Sequence, residues 1–217
     1  GRYPGVPYFL LGHSMGSFIA RLFAQRFGRT LSGLILSGTA GRNPAAPLGQ
    51  ALARGVELVK GPKHISHQVY QLANGSFSRA IPGAKTPVDW LSKEEAVCSS
   101  YLADPKCAFQ FTVSAYYELF SMLEECNSSQ WYATMPKSLP VYLLAGDQDP
   151  VWAMGAGPRE VCAGLLRAGC REVELRLWPG GRHEMFNETE REEVRRELLA
   201  WLEKIMARRT LDPMLED

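Results

Sequence analysis

A serine flanked by glycines, in the sequence Gly-His-Ser-Met-Gly over 12–16, follows an apolar run near the start of the chain. The run over 8–11 is bounded by proline and glycine and predicts a short buried strand. Residues 14–27 predict a helix, and residues 31–37 predict a second strand. Strand, helix and strand with short links form a βαβ unit, so these two strands should be parallel. The sequence therefore predicts an α/β fold.

The rest of the chain contains two kinds of sequence pattern, a helical one and then an alternating strand-and-helix one. Together with the first βαβ unit, they divide the sequence into regions over 1–39, 40–136 and 137–217. The middle region opens with Gly, Asn and Pro and then carries helical patterns, which predicts a helical insertion. Its helices are expected over 48–60, 64–74, 92–103 and 112–125. The last region returns to alternating strands and helices. Its strands are expected over 140–145 and 172–178, and its helices over 158–168 and 189–208.

Local signals mark several of these elements. Ser92 followed by Glu95 matches a capping box, which predicts a helix start at Ser92. Pro158 suits the first turn of its helix. Alternation of apolar and polar residues over 172–178 is typical of an edge strand. The last helix carries an apolar stripe of five residues. They are Val194, Leu198, Trp201, Leu202 and Ile205.

Composition excludes several classes of protein. The 217 residues are 46% hydrophobic and 22% charged, which is typical of a globular protein and not of a disordered or fibrous chain. The 24 Lys and Arg residues nearly balance 23 Asp and Glu residues, so the net charge does not favour nucleic acid. No apolar run approaches the roughly 18 residues of a transmembrane helix. Five cysteines without Cys-x-x-Cys spacing predict reduced thiols and a cytoplasmic location.

Ser14 lies at a predicted strand-to-helix turn, the context that a nucleophile elbow requires. Such a turn holds the serine in an unfavourable backbone conformation and exposes its hydroxyl. Gly12 and Gly16 allow neighbouring backbone to approach closely. The N–H groups at the start of the helix favour developing negative charge. We therefore predict a nucleophile at Ser14 in an elbow with Gly12, His13 and Gly16; the alternative is a glycine-rich turn with a capping serine.

A serine hydroxyl needs a base, and the chain offers four histidines. His13 lies inside the elbow and should point away from the serine hydroxyl. His64 and His67 have the i, i+3 spacing of a metal site, but no carboxylates or cysteines cluster nearby, so a solvated helix face is favoured and no metal is predicted. His183 follows a strand in a glycine-rich loop, where α/β folds place functional groups. His183 is the predicted base, with a surface loop histidine as the alternative.

An acidic residue should fix the tautomer of that histidine. The strand over 140–145 is followed directly by two candidates, Asp147 and Asp149. We prefer Asp149, which lies further along the loop, because Asp147 could instead be a turn or capping residue. The order Ser14, Asp149, His183 is the order of the triad in α/β hydrolases.

The chain resembles α/β hydrolases of the S33 serine aminopeptidase group, most closely its lysophospholipase and monoacylglycerol-lipase-like members. The resemblance covers nearly the whole chain. It is carried by GDQDPV and by the stretches FLLGHSMGSFIARLFAQ, LSGLILSGTAG, DWLSKEEAVCSSYLADPKC and GGRHEMFNE. It implies a nucleophile at Ser14, an acid at Asp149, chosen by a G-x-x-D pattern from Gly146, and a base at His183. It also implies that 40–136 forms a cap over an acyl pocket.

The family has strands before the nucleophile strand and a His-Gly loop that supplies one oxyanion-hole N–H, whereas only seven residues precede the first predicted strand here. The remaining oxyanion donor is the backbone N–H of Met15. Loss of one such donor lowers turnover by roughly 10²–10³-fold in studied enzymes. We expect the chain to be the C-terminal part of a longer hydrolase, with about four parallel strands and an exposed edge at residues 8–11.

The resemblance implies hydrolysis of carboxylic esters through an acyl-enzyme, with a lysophospholipid, a monoacylglycerol or a related small acyl ester as substrate. It implies neither a metal nor an organic cofactor. Neither the balanced charge nor the resemblance predicts a nucleic acid partner, and no particular oligomeric state is predicted. Apolar residues of the insertion would suit an acyl chain, although each could instead belong to the core of the cap. They are Leu48, Leu52, Val56, Val59, Tyr116, Phe120 and Trp131. The alternatives are a binding module without activity, a peptidase and a short-chain esterase of the same fold.

Overall fold

The computed structural model describes residues 3, 5–107 and 109–211, with side chains as far as residue 208. One parallel sheet has the strand order β1-β2-β3-β4. The strands are β1 (Phe9–His13), β2 (Gly33–Ser37), β3 (Val141–Gly146) and β4 (Val173–Trp178). The α/β prediction is confirmed, and each predicted strand is present within two residues of its expected bounds. Strand β4 lies at one end of the sheet, as its alternating sequence predicts.

Eight helices accompany the strands in the described residues. Before and within the insertion they are α1 (Met15–Phe27), α2 (Ala46–Lys60), α3 (His67–Asn74), α4 (Glu95–Ala103), α5 (Val113–Cys126) and α6 (Ser129–Thr134). After the insertion they are α7 (Ala156–Arg167) and α8 (Arg191–Leu211). Single turns of 3-10 helix add Gly28–Thr30, Ser78–Ala80, Pro150–Trp152 and Met185–Asn187.

Five helices, α2, α3, α4, α7 and α8, start two or three residues from the predicted positions. Helix α4 begins at Glu95, and the Ser92 hydroxyl contacts the carboxylate of Glu188 at 3.1 Å, so the predicted capping box is wrong. Helix α7 begins at Ala156, two residues before Pro158, after Gly155 in a left-handed conformation. The short helix α6 was not predicted, because six residues carry too little periodicity to be recognised.

The sheet is covered on both faces, as its buried central strands require. On β2, Leu34 and Leu36 face a large core shared with α1, α7 and the insertion, while Ile35 faces α8 on the other side. This alternation follows from the two-residue period of a strand. The predicted stripe of α8 packs there, with Val194, Trp201 and Ile205 buried.

Arg21 joins α1 to the insertion although it is completely buried. Its guanidinium donates to the backbone oxygen of Ala40 at 2.8 Å, to Asn127 Oδ1 at 3.0 Å and to the backbone oxygen of Cys126. It also lies 4.3 Å from the ring centroid of Trp131. These three acceptors are carbonyl oxygens, and the guanidinium also donates to Thr39 Oγ1 at 3.5 Å, so the bonds satisfy buried polar groups on both elements.

The outer edge of β1 pairs with no other strand among the described residues. Leu11 on this strand is 45% exposed. On α1, exposed apolar side chains recur every four residues at Ile19, Phe23 and Phe27, and therefore share one face of the helix. The expectation of an exposed apolar edge is confirmed.

Candidate active site

Ser14 lies between β1 and α1 with φ 52° and ψ −124°, one of three non-glycine residues with positive φ in the described part of the chain. Its backbone N–H donates to the Ser37 backbone oxygen at 2.9 Å, which ties the turn to the end of β2. Its backbone oxygen accepts from Ser17 Oγ at 2.6 Å. These bonds hold a conformation that side chains ordinarily avoid, as a nucleophile elbow requires.

The two elbow glycines differ in their surroundings. A Cβ on Gly12 would lie 2.4 Å from the Gly16 backbone oxygen and 2.8 Å from Ala20 Cβ, so only glycine fits at residue 12. A Cβ on Gly16 would meet no atom within 4 Å. Close backbone approach therefore explains Gly12, whereas no other described residue crowds the Cα of Gly16.

His183 and Asp149 form a buried pair. Nδ1 of His183 lies 2.7 Å from Oδ2 of Asp149, and the two residues are 2% and 1% exposed. The other carboxylate oxygen, Oδ1, accepts from the Val151 backbone N–H at 2.9 Å, which orients the Asp149 side chain. This arrangement places a proton on Nδ1 and leaves Nε2 free to accept one.

Asp147 has the structural role that the sequence left open for it. Its carboxylate accepts from the Gly180 backbone N–H at 2.7 Å and so holds the loop after β4. Gly146 permits the same close approach, since a Cβ there would lie 2.0 Å from the Gly181 backbone oxygen. The structure thus pairs Asp149, and not Asp147, with His183.

The predicted elbow and the predicted base lie side by side. The ring centroids of His13 and His183 are 4.8 Å apart, and a Cβ on Gly38 would lie 3.1 Å from His183 Cε1. His13 Nδ1 is 3.1 Å from Ser37 Oγ. Burial, followed by the nearby His183, lowers the pKa of His13 from 6.5 to about 4. His13 is therefore neutral at pH 7 and puts no positive charge beside His183.

A cavity of about 970 Å³ opens onto Ser14 and Met15. Of the apolar insertion residues singled out from the sequence, Tyr116 and Phe120 line this cavity, and Trp131 is buried beneath Arg21 instead. Leu48 and Val59 are largely exposed, and Leu52 and Val56 line a separate groove that also contains His64 and His67. His64 and His67 thus line a different surface from the cavity that opens onto Ser14.

Two residues near the pair were not singled out from the sequence. Trp90 lines the cavity, and its ring centroid lies 5.3 Å from that of His183. Glu188 is completely buried and accepts from the Arg182 backbone N–H at 2.8 Å. Glu188 ends the stretch HEMFNE, but two of its partners, Ser92 and Lys93, lie more than ninety residues earlier, so periodicity and spacing could not reveal its burial.

In the described part of the chain, no three His, Cys, Asp or Glu side chains cluster as a metal site would require. All five cysteines are free thiols. None of the helices that the structure describes is long and apolar enough to cross a membrane.

The sequence and the fold of this chain are similar to those of known lipases and esterases. The chain is 25% identical over 202 residues to a monoacylglycerol lipase of Mycolicibacterium smegmatis, covering 92% of this chain and 63% of that protein. A thermostable carboxyl esterase from Bacillus coagulans, solved in complex with glycerol, is 34% identical with a TM-score of 0.87, covering 94% of this chain and 66% of the esterase. The chain thus spans less than two thirds of the length of either relative.

A soluble variant of monoglyceride lipase from Saccharomyces cerevisiae, solved in complex with a substrate analog, shares the fold with a TM-score of 0.67 at 21% identity. That comparison covers 93% of this chain and 63% of the yeast protein. The family model described as serine aminopeptidase, S33, matches residues 1–190, a span that contains Ser14, Asp149 and His183. The chain therefore belongs to the serine aminopeptidase S33 family and has an α/β-hydrolase fold.

Proposed function

We propose that this chain carries the catalytic triad of a serine hydrolase that cleaves carboxylic esters, with Ser14 as nucleophile, His183 as base and Asp149 as the orienting acid. The observation that carries the proposal is the buried contact of 2.7 Å between His183 and Asp149. It is supported by the positive φ of Ser14 and by the ring of His13, the residue before Ser14, which lies 4.8 Å from the His183 ring. The monoacylglycerol lipase and carboxyl esterase among its relatives support the same chemistry.

The reaction proceeds in two halves through an acyl-enzyme. Ser14 Oγ attacks the ester carbonyl carbon while Nε2 of His183 accepts the hydroxyl proton. The tetrahedral intermediate collapses, the ester C–O bond breaks, and the alcohol leaves with the proton from His183. Water then attacks the acyl-enzyme, His183 accepts a proton from the water, and Ser14 Oγ regains a proton as the carboxylic acid departs. Asp149 keeps Nδ1 protonated throughout and stabilises the imidazolium.

Met15 supplies one oxyanion donor. Its backbone N–H is in the first turn of α1, where no intrahelical acceptor exists, and Met15 lines the cavity beside Ser14. The positive end of the helix dipole adds to the stabilisation of the oxyanion. In α/β hydrolases a second backbone N–H, from a loop outside the elbow, completes such a site.

The substrate we propose is an ester with one long acyl chain, such as a monoacylglycerol or a lysophospholipid. The cavity next to Ser14 is lined by apolar and aromatic side chains from α1 and the insertion, including Phe18, Trp90, Tyr116 and Phe120. This lining suits an acyl chain and supports a role of 40–136 as a cap over the acyl pocket. The five free thiols support a cytoplasmic location.

The test is hydrolysis of a series of monoacylglycerols and p-nitrophenyl esters from butyryl to palmitoyl. We expect measurable turnover that rises with acyl length, is abolished in Ser14→Ala and falls roughly 10⁴-fold in Asp149→Asn. Fastest turnover of the shortest esters would instead identify a short-chain esterase. Turnover that persists in Ser14→Ala would contradict the proposed nucleophile.

A further inference from the structure

The segment 89–93 of the insertion packs directly against the loop that carries His183. The backbone N–H of His183 donates to the Trp90 backbone oxygen at 3.3 Å, and that of Glu184 donates to the Leu91 backbone oxygen at 2.8 Å. The side chain of Arg182 donates to the backbone oxygens of Asp89 at 2.6 Å and Ser92 at 3.0 Å. A part of the insertion, distant in sequence, thus braces the histidine loop.

The carboxylate of Glu188 links segment 89–93 to the histidine loop by a second set of hydrogen bonds. One carboxylate oxygen accepts from the Arg182 backbone N–H at 2.8 Å, and the other accepts from Ser92 Oγ and the Lys93 backbone N–H, each at 3.1 Å. The donors are two backbone N–H groups and one hydroxyl. Burial of a carboxylate is costly unless its oxygens are satisfied, and these three bonds satisfy them.

With Glu188 in place, three consecutive backbone N–H groups, those of Arg182, His183 and Glu184, all have acceptors. The loop backbone is therefore fixed on both sides of the imidazole. The ring itself contacts Trp90, whose centroid is 5.3 Å away, and His13 at 4.8 Å. Small displacements of such a base have large kinetic effects, because the base must meet the serine proton in a narrow range of geometry.

We propose that Glu188 is a positioning residue that fixes the His183 loop against segment 89–93, so that the insertion sets the geometry of the base. This inference rests on the proposed function, in which His183 is the base. Segment 89–93 then has a second role besides covering the cavity, because it holds the loop that carries His183. If the whole insertion moved, His183 would move with it.

The test compares Glu188→Gln with Glu190→Gln as a matched control. Glu190 accepts from Lys93 Nζ at 2.7 Å and is partly exposed, so it contacts the same segment without contacting the histidine loop. Two readouts are needed: the rate at which a fluorophosphonate labels Ser14, and the downfield proton resonance expected for the His183–Asp149 hydrogen bond. The resonance reports the pair whether or not the chain hydrolyses esters.

In Glu188→Gln an amide NH₂ replaces an acceptor and faces N–H donors. We expect labelling to slow by roughly tenfold or more, kcat to fall with KM little changed, and the downfield resonance to broaden or disappear. Glu190→Gln should leave both readouts within about twofold of wild type. Glu188→Asp, which keeps the charge on a shorter side chain, should recover part of the loss.

If Glu188→Gln does not fold, Ser92→Ala removes one of the three donors and should change both readouts in the same direction by a smaller factor. A folded Glu188→Gln or Ser92→Ala protein with a lowered melting temperature but unchanged labelling and resonance would overturn the proposal, because Glu188 would then only stabilise the fold. Absence of ester hydrolysis in wild type, with the resonance present and lost in Glu188→Gln, would reject the proposed function and retain the positioning role.

Discussion

Residue 12 shows how a single position controls the turn that presents Ser14, the proposed nucleophile. Gly12→Ala introduces a Cβ 2.4 Å from the Gly16 backbone oxygen, an atom that cannot move without distorting α1. We expect the variant to lose about 2–3 kcal/mol in free energy of unfolding, measured by urea denaturation, together with reactivity at Ser14.

The neighbouring Gly16→Ala is the control, because its Cβ would face open space inside a helix. Alanine there should be neutral or stabilising by up to about 1 kcal/mol. Equal stability of the Gly12 and Gly16 variants would contradict this account of the elbow.

His13 makes the free energy of unfolding decrease at acid pH. Burial lowers the pKa of His13 from 6.5 to about 4, so the unfolded chain binds more protons at this residue than the folded chain between those values. Stability therefore falls as the pH decreases from about 6.5 to about 4. In His13→Gln, the difference in unfolding free energy between pH 7 and pH 4.5 should shrink by about 2 kcal/mol. An identical pH dependence in wild type and His13→Gln, both measured by urea denaturation, would show that His13 has no depressed pKa.

At the scale of elements, Arg21 couples α1, the helix that follows Ser14, to the end of α5. Arg21→Met keeps much of the side-chain volume and removes the donors, which leaves the carbonyls of Ala40, Cys126 and Asn127 without their charged partner. We expect a loss of about 2–3 kcal/mol in the free energy of unfolding.

Arg26→Met provides the comparison on the same helix. Arg26 is exposed and lies 3.9 Å from Glu125, a surface pair that contributes about 0–1 kcal/mol. Urea denaturation of both variants measures the difference. Losses of equal size would show that the buried hydrogen bonds of Arg21 do not stabilise the junction.

The strands and most helices could be predicted because their signals are local. Apolar runs, the glycine-rich elbow and the two stretches GDQDPV and GGRHEMFNE each occupy a few consecutive residues. Ser92 was misread for the opposite reason. Its capping pattern with Glu95 is a valid local signal. In the structure, however, the Ser92 hydroxyl donates to the buried carboxylate of Glu188, ninety-six residues later. Pairing between the insertion and the histidine loop therefore required the structure.

For the whole molecule, the three candidate residues come from both sides of the insertion, and the parallel sheet brings them to the same edge. Ser14 follows β1, Asp149 follows β3 and His183 follows β4, and ligand-binding groups of α/β sheets gather at these carboxyl ends. The same sheet leaves the β1 edge and the α1 stripe exposed among the described residues. The proposed chemistry at Ser14 thus depends on correct association of regions that are far apart in the sequence.

Site-mapped labelling by a fluorophosphonate tests this account most directly. The reagent traps a serine that a nearby base has activated, and peptide mass spectrometry identifies the modified residue. We predict one adduct, on Ser14, that is absent in Ser14→Ala and forms at least roughly 10²-fold more slowly in His183→Ala. Labelling at another residue, unchanged labelling in either variant, or no adduct on Ser14 would contradict the triad.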